Sequence, residues 1–574
     1  MHSRRYRSIR WVAAALVAST VTVAVVATLS GPRAGARNAF GAERAVTPGV
    51  AESGPRPNIV VVMADDMRSD DVRFMPAVRK LVASQGLTFR NSFSPYPLCC
   101  PARASFLTGQ YAHNHGVLNN EPPFGFAGLD DRRTIATSLA SVGYRTAFVG
   151  KYLNGYGKNP SPVTGEPSMH YVPPGWTDWY AAVGLRPRVG QRFPWAGVYN
   201  YWGTPFNDNG ALDFSHRGDY QTNVLGAVSR SLVARYARSA APFFLYLSSV
   251  APHYGFPHER GDIDEVRRGD RVFPFKSPAR PNHVRGRFDE TVTRAPGLPL
   301  SGPSESDMSD KAWWSGDPEL NTLERLADLK LTRQRAESLA VLDRQVRLLV
   351  RQLRTTGELA NTVFVFTSDN GYFLGEHRIR NGKIRPYEPS LRVPLVVAGP
   401  GVPHGVRYDP ATTIDLTSTL LDLANANPPV PADGRSLVPS FASDRGWTTA
   451  IVTEALDGGP PVPPGVDREA LGFSDLRTQI GLRTAQWKLI RYDSGDVELY
   501  DLDADPNELE SVADDPALEE VLAELLEVWH SLRSCLGTTC VTPLPSDLQL
   551  GASALAESTE SQRAGVRARY GVAF

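Results

Sequence analysis

Two apolar strands that each run into acidic residues constrain this chain more than any other feature. Asn58 to Met63 is a largely β-branched run leading through Ala64 into Asp65-Asp66. Thr362 to Thr367 is a second, leading into Ser368-Asp369-Asn370-Gly371. Unbroken apolar strands of this kind suit a parallel sheet covered by helices on both faces. Open α/β sheets hold their ligands at the C-terminal ends of strands, which is where both acidic pairs fall. The intervening sequence keeps the same rhythm. Thr134 to Val142 reads as a helix ended by Gly143, and Tyr144 to Val149 as a strand delivering Gly150-Lys151-Tyr152-Leu153-Asn154. Tyr220 to Arg238 reads as a helix, and Phe243 to Val250 as a strand ending in Ala251-Pro252-His253. Val393 to Ala398 is a further strand, and Val72 to Gln85 is predicted as one helix stopped by Gly86. Leu339, Leu342, Val346, Leu349 and Leu353 recur at helical spacing and predict a core helix that stops near Gly357. The expected architecture is α/β, with a mainly parallel sheet.

At 574 residues the chain is too long for one ordinary core. The texture changes after about Gly434. Ile480 to Tyr492 and Val497 to Leu502 alternate as hairpin strands, and Pro516 to Leu532 is an amphipathic helix. A main domain over 57–440 and a smaller C-terminal α+β domain over 441–550 follow, with 551–574 as a peripheral tail. Residues 256–321, rich in Arg, Asp, Pro and Gly, read as a long insertion that either borders the site or is a passive loop. At the N-terminus, Arg4, Arg5, Arg7 and Arg10 precede an apolar run from Trp11 to Leu29 and the small residues Ala34-Gly35-Ala36. Residues 1–36 therefore read as a cleaved signal peptide or a membrane anchor, placing the rest outside the cytoplasm, and 37–56 as a spacer. Ser3-Arg4-Arg5 fits a twin-arginine signal poorly, because Arg7 stands where an apolar residue is preferred.

Lys+Arg and Asp+Glu balance at 61 each, which gives no electrostatic case for a nucleic-acid partner. Of four cysteines, Cys535 and Cys540 are close enough in an exported chain to form a disulfide, the alternative being two free thiols. Cys99 and Cys100 are adjacent and could bridge only with strain, which points to chemistry rather than a disulfide at Cys99 and leaves Cys100 to packing. Asp65, Asp66, Asp369 and Asn370 offer four oxygen-bearing side chains, a donor set for a hard divalent cation such as Ca²⁺ or Mg²⁺. Either pair alone would be ordinary turn chemistry. Both follow apolar strands, and the cysteine pair lies between them.

That cysteine pair opens LCCPARASFLTGQYAHNHGVLNN, Leu98 to Asn120. Cys99-x-Pro101-x-Arg103, followed by Leu107-Thr108-Gly109, resembles the signature of type I sulfatases, in which the first cysteine is oxidised to formylglycine. Gly150-Lys151, Pro252-His253, Asp369-Asn370-Gly371 and Lys383 with Tyr387-Glu388 follow in the order of that family. The likeness is greatest to N-acetylglucosamine-6-sulfatases, through GKYLNGYG at Gly150 to Gly157, Pro174 to Tyr180, and SCLGTTCVTP at Ser534 to Pro543. The resemblance implies an alkaline-phosphatase-like sandwich and Ca²⁺, rather than Mg²⁺, on Asp65, Asp66, Asp369, Asn370 and the formylglycine from Cys99. It implies that Arg103 and Lys151 hold the formylglycine and the sulfate, with Lys383 and His253 at the sulfate and leaving oxygen. It also implies a formylglycine-generating enzyme as partner and a secreted or anchored location.

The chemistry of these residue types agrees. A sulfate ester needs positive donors at its non-bridging oxygens and a proton for the leaving oxygen, and histidine changes charge near neutral pH. The hydrated aldehyde has two hydroxyls on one carbon, so one attacks sulfur and deprotonation of the other expels sulfate. One position departs from the family pattern. Leu153 stands where many sulfatases carry a histidine, leaving Asn154, His113 or His115 to supply a polar contact. The expected activity is hydrolysis of a 6-sulfated N-acetylglucosamine or related sulfated carbohydrate. The alternatives are an aryl sulfate or phosphonate/phosphodiester hydrolase and, in another class, an inactive carbohydrate-binding relative.

Overall fold

The computed structural model describes residues 56–185, 197–313, 316–457 and 466–573. The expected export segment and spacer, up to residue 55, lie outside the described residues. No described helix is long and apolar enough to cross a membrane.

Ten strands form the main sheet. In chain order they are β1 (Asn58–Ala64), β2 (Leu87–Phe93), β3 (Arg145–Gly150), β4 (Asp178–Ala182), β5 (Phe206–Asp208), β6 (Ala211–Asp213) and β7 (Phe243–Ser248). After the hairpin β8 (Glu265–Arg268) and β9 (Arg271–Pro274) come β10 (Thr362–Ser368), β11 (Leu395–Ala398) and β12 (Gly405–Thr412). Their spatial order is β12-β2-β11-β10-β1-β7-β3-β4-β5-β6. The centre is parallel: β1 pairs with β10 and β7, and β3 with β7 and β4. β11 runs antiparallel between β10 and β2, and the β5–β6 hairpin closes the far edge.

Alternation along β1 shows why the expected core holds. Val60, Val62 and Ala64 pack on one face against helices Gln221–Tyr236 and Thr322–Thr355, through Val224, Leu225, Leu339, Leu342 and Val346. Ile59, Val61 and Met63 pack on the other against helices Cys99–Thr108, Ile135–Ser141 and Thr413–Leu423. A period of two sends successive side chains to opposite layers, so a strand sandwiched by helices has no polar position to spare.

Three stretches differ from expectation. Val72 to Gln85 is not one helix: 3₁₀ turns at Ser69–Phe74 and Ala83–Gln85 flank a π turn at Val78–Val82. Pro76 within the stretch lacks an N–H and disfavours helix at the residue before it. The helix under the Leu339–Leu353 stripe begins much earlier, at Thr322, where Asn321 and Glu324 form a capping box. The C-terminal stretch expected to be peripheral is a helix, Ala552–Tyr570, docked at the centre of a junction. Asn91 at β2 donates to its Thr559 hydroxyl (2.9 Å), and its Gln562 donates to the Ala485 carbonyl (3.0 Å).

The smaller sheet is antiparallel: β13 (Ile451–Ala455), β14 (Gln479–Arg483), β15 (Trp487–Tyr492) and β16 (Val497–Asp501). Helix Glu519–Leu532 covers it with Leu525 and Trp529, whose indole donates to the Ile480 carbonyl at 2.9 Å. Cys535 and Cys540 form a disulfide.

Candidate active site

The parallel register sets Ala64 opposite Ser368, so Asp65-Asp66 and Asp369-Asn370 leave neighbouring strands at the same end of the sheet. Backbone donors then fix the acidic groups. The amides of Asp66 (3.0 Å) and Asn370 (2.8 Å) both donate to Asp369 Oδ1. Asp66 itself turns in the left-handed region at φ 64°, an uncommon geometry for a non-glycine residue that clusters at functional sites. A Cβ on Gly371 would lie 2.2 Å from the Pro389 carbonyl oxygen, so only glycine allows the chain to turn away after Asn370.

Helix Cys99–Thr108 brings its first turn to this point. Pro101 falls where a missing N–H breaks no helical bond, and Arg103 lies one turn on, on the same face as Cys99. Cys99 Sγ is 3.5 Å from Asp65 Oδ1, and Lys383 Nζ is 2.8 Å from the same sulfur. Lys383 also pairs with Asp66. Arg103 Nε donates to Asp369 Oδ2 (2.8 Å), and its Nη2 lies 3.6 Å from Asp65. Lys151, at the end of β3, donates to Asp65 Oδ2 at 2.5 Å. His253, in the turn after β7, has Nε2 3.6 Å from Asp66 Oδ2. Its Nδ1 lies 2.8 Å from the Tyr254 carbonyl oxygen, which can only accept, so Nδ1 carries the hydrogen. Every residue singled out in the sequence, namely Asp65, Asp66, Cys99, Arg103, Lys151, His253, Asp369, Asn370 and Lys383, thus enters one cluster, and all but Lys383 are buried within it.

The electrostatics follow from packing charges where water is excluded. Burial opposes ionisation of Asp65, but Lys151, His253, Arg103 and Lys383 overcome it and hold the carboxyl well below its usual range. Asp66 is likewise lowered against burial, chiefly by Lys383. Asp369 goes the other way, to about 6, pushed up by burial and by Asp65. Burial pushes His253 down to about 4 against the pull of Asp66 and Asp65. Burial and the neighbouring Asp65 push the Cys99 thiol up to about 11, so at neutral pH it is a protonated and weak nucleophile as it stands.

The donor set fits a hard divalent cation. Ligand atoms of Asp65, Asp66, Cys99 and His253 lie within 4.8 Å of one another. The Asn370 amide nitrogen donates to Asp66 (2.8 Å), while its Oδ1 is buried without a hydrogen-bond partner. A buried oxygen left unpaired among carboxylates is what a cation ligand looks like before the cation is bound.

Some functional positions escaped the sequence reading. Ser248, the last residue of β7, contacts both Arg103 and the Lys151 carbonyl. Tyr199 stacks on His253. Nothing in the local sequence marks either residue. His113 and His115 leave the site: His113 bridges Glu454 and the Cys535 carbonyl (both 2.8 Å), and His115 lies 3.0 Å from the Ser105 hydroxyl. Leu153 is core. Beside Lys151 opens a cleft of about 190 Å³ whose lining includes Glu121, Asn154, Lys158, Asn159, Tyr199 and Phe256. Polar groups over an aromatic wall suit a sugar ring.

Residues 57–426 match the family model described as Sulfatase, well over half of the chain. This protein belongs to the sulfatase family. Residues 470–534 of the sulfatase match a second model, described as N-sulphoglucosamine sulphohydrolase, C-terminal. The chain is 30% identical to the human N-acetylglucosamine-6-sulfatase over 86% of its own length and 88% of the relative's. It is 30% identical to the Drosophila melanogaster extracellular sulfatase SULF-1 homolog over 68% of its length and 31% of the relative's. Its fold matches a protein solved in complex with its substrate D-glucosamine-2-N,6-O-disulfate, with a TM-score of 0.62 at 21% identity, covering 83% of this chain and 97% of that one. The expected alkaline-phosphatase-like sandwich is therefore the fold, and the protein is a sulfuric ester hydrolase.

Proposed function

We propose that this sulfatase removes the sulfate of a 6-sulfated N-acetylglucosamine or a related sulfated carbohydrate, using a formylglycine made from Cys99 and a bound Ca²⁺. The observation that carries the reading is the position of the Cys99 side chain. It sits at the first turn of its helix, between Asp65 and Lys383, with three permanent cations and three carboxylates around it and a polar cleft beside Lys151. The unmodified thiol there is the wrong group, because it is held protonated and would trap the sulfur as a stable adduct. Oxidation by a formylglycine-generating enzyme supplies a hydrated aldehyde with one hydroxyl to attack sulfur and another whose deprotonation releases sulfate. Asp65, Asp66, Asp369 and Asn370, with residue 99, would hold Ca²⁺, which polarises sulfate oxygens and favours the ionised nucleophile.

The chain's own cations do the rest. Arg103, anchored by Asp369 and Ser248, and Lys151 hold residue 99 and the sulfate. Lys383 faces the same sulfate from the other side. His253 presents Nε2 and delivers a proton to the leaving oxygen, and an anionic ester bound beside it favours the protonated ring. The export segment, the Cys535–Cys540 disulfide and the likeness to an extracellular sulfatase support work outside the cytoplasm. The membrane enters only through an N-terminal anchor if that segment is not cleaved.

The test is a hydrolysis panel of N-acetylglucosamine 6-sulfate, other sulfated sugars, an aryl sulfate, a phosphonate monoester and a phosphodiester. Preference for the 6-sulfated sugar is expected. Preference for a phosphorus ester would overturn the reading, and preference for the aryl sulfate would remove the sugar from it.

A further inference from the structure

We propose that Tyr199 is a positioning residue for proton delivery, holding the His253 imidazole and the Lys151 ammonium from a mount that Asn154 and Cys100 fix. The inference rests on the role given above to His253. The imidazole has only one hydrogen bond on its far edge, from Nδ1 to the Tyr254 carbonyl, and a single bond leaves the ring free to swing about it. The Tyr199 ring, the nearer to parallel of two aromatic neighbours, restricts that freedom: its centroid lies 4.5 Å from that of His253 with the planes 18° apart, against 4.4 Å and 30° for Tyr254. The same aromatic ring lies beneath Lys151, whose Nζ is 4.9 Å from the centroid. One side chain thus fixes the plane of the acid and the head of a flexible four-carbon amine.

Tyr199 is itself held. Its hydroxyl accepts from Asn154 Nδ2 at 3.1 Å. Asn154 is gripped by the second cysteine: its backbone amide donates to Cys100 Sγ (2.9 Å), and its Oδ1 lies 3.6 Å from that sulfur. Cys100 is fully buried and follows Cys99 in the same helical turn. The reacting residue and the tyrosine mount are therefore tied to one turn of one helix. Offset stacking of this kind favours one ring orientation over the others. The segment in which Leu153 displaces the family's histidine thereby reaches the site after all, through Asn154 and Tyr199 rather than by direct contact.

The test compares sulfate esters whose leaving alcohols differ in their need for a proton. 4-Nitrophenyl sulfate expels a stable phenolate without one, whereas N-acetylglucosamine 6-sulfate expels an alcohol that requires it. For Tyr199→Leu, kcat on the sugar sulfate should fall about 10- to 100-fold, a part of what a general acid supplies. The fall on 4-nitrophenyl sulfate should be within about threefold, with KM nearly unchanged on both, because Asp65 still holds the Lys151 ammonium at 2.5 Å and the proton-requiring step is the one that depends on the His253 ring's orientation. Tyr199→Phe keeps the ring and should restore most of the sugar-sulfate rate. Asn154→Ala should show the same bias at smaller scale. Equal losses on the two esters, or a Tyr199→Phe as impaired as Tyr199→Leu, would make Tyr199 a mere wall and overturn the proposal. A wild-type enzyme that turns over neither ester would instead overturn the proposed function, and this inference with it.

Discussion

Two buried clusters of charge, one at the strand ends of the main sheet and one at the junction with the small sheet, are built for opposite ends. Around Cys99, three carboxylates and three permanent cations crowd a thiol, a neutral histidine and an unpaired amide oxygen, beside an open cleft. Around Glu388, the carboxylate pairs with Arg392, Arg483 (3.0 Å) and Lys488 (2.7 Å), and Lys488 pairs with Glu508 at 2.5 Å. Arg483 also reaches Gln562 of the last helix at 3.3 Å. The second cluster ties the main domain, the small sheet and the C-terminal helix together, with each carboxylate facing a cation. The first leaves groups uncommitted. Burying charge is costly in both places, but the first combines its charges with a thiol, an imidazole and an amide oxygen beside a cleft.

The sharpest way to break this contrast is to remove one group from each side. Cys99→Ala should lower turnover by about 10⁴-fold or more, since no other group can replace the nucleophile, while thermal melting changes little. Glu388→Ala should do the reverse. It takes the carboxylate from Arg392 and Arg483, leaves Lys488 with Glu508 alone, and should cost about 3–5 kcal/mol, read as a fall in melting temperature, with activity per folded molecule retained. A Glu388→Ala that folds as well as wild type but loses catalysis would erase the distinction.

Metal removal should separate the clusters next. Chelation should abolish turnover, and added Ca²⁺ should restore it. Ca²⁺ at a hundred times its dissociation constant should also stabilise the fold by about 2.7 kcal/mol, measured by calorimetry. In Asp66→Asn that stabilisation should shrink, whereas in Glu388→Gln it should persist.

A gentler probe is acid. The junction's cations hold Glu388, against burial, well below its ordinary value of 4.5. The folded chain therefore binds that proton more weakly than the unfolded chain does. Its contribution to stability is complete above pH 4.5 and is lost as pH falls below it. Glu388→Gln should flatten this acid limb in urea titrations of the metal-free protein. An unchanged limb would mean that Glu388 carries no such linkage. The smallest expected effect is that of Cys100→Ala, which loosens Asn154 through weak sulfur contacts and should slow turnover by less than about tenfold.

How much of this was legible beforehand depends on how locally it is written. β1 and β10 announce themselves because a strand buried on both faces has to be apolar throughout, and the acidic residues must lie past its end. Cys99, Pro101 and Arg103 are readable through their likeness to the family signature, and the structure adds that one helical turn carries all three. Lys151, His253 and Lys383 could be singled out only by their places after strands and turns and by family likeness. The structure then shows what each pairs with. Tyr199 and Ser248 had no such signal, since their meaning comes from strand order and loop packing between segments far apart in sequence. The helix Ala552–Tyr570 was misjudged for a related reason. Its buried faces meet Asn91 on β2, next to the edge strand, and Ala485 in a hairpin turn, contacts that no local pattern encodes. The Glu388 cluster was likewise invisible, because Arg483 and Lys488 are about a hundred residues away from the carboxylate they hold.

The most direct measurement is the mass of the peptide carrying Cys99, taken from enzyme whose sulfatase activity has been established. The expected result is an aldehyde oxygen in place of the Cys99 sulfur, with Cys100 an unmodified thiol and the modified fraction tracking specific activity. Fully active enzyme with an intact Cys99 thiol, or with the aldehyde at position 100, would contradict it.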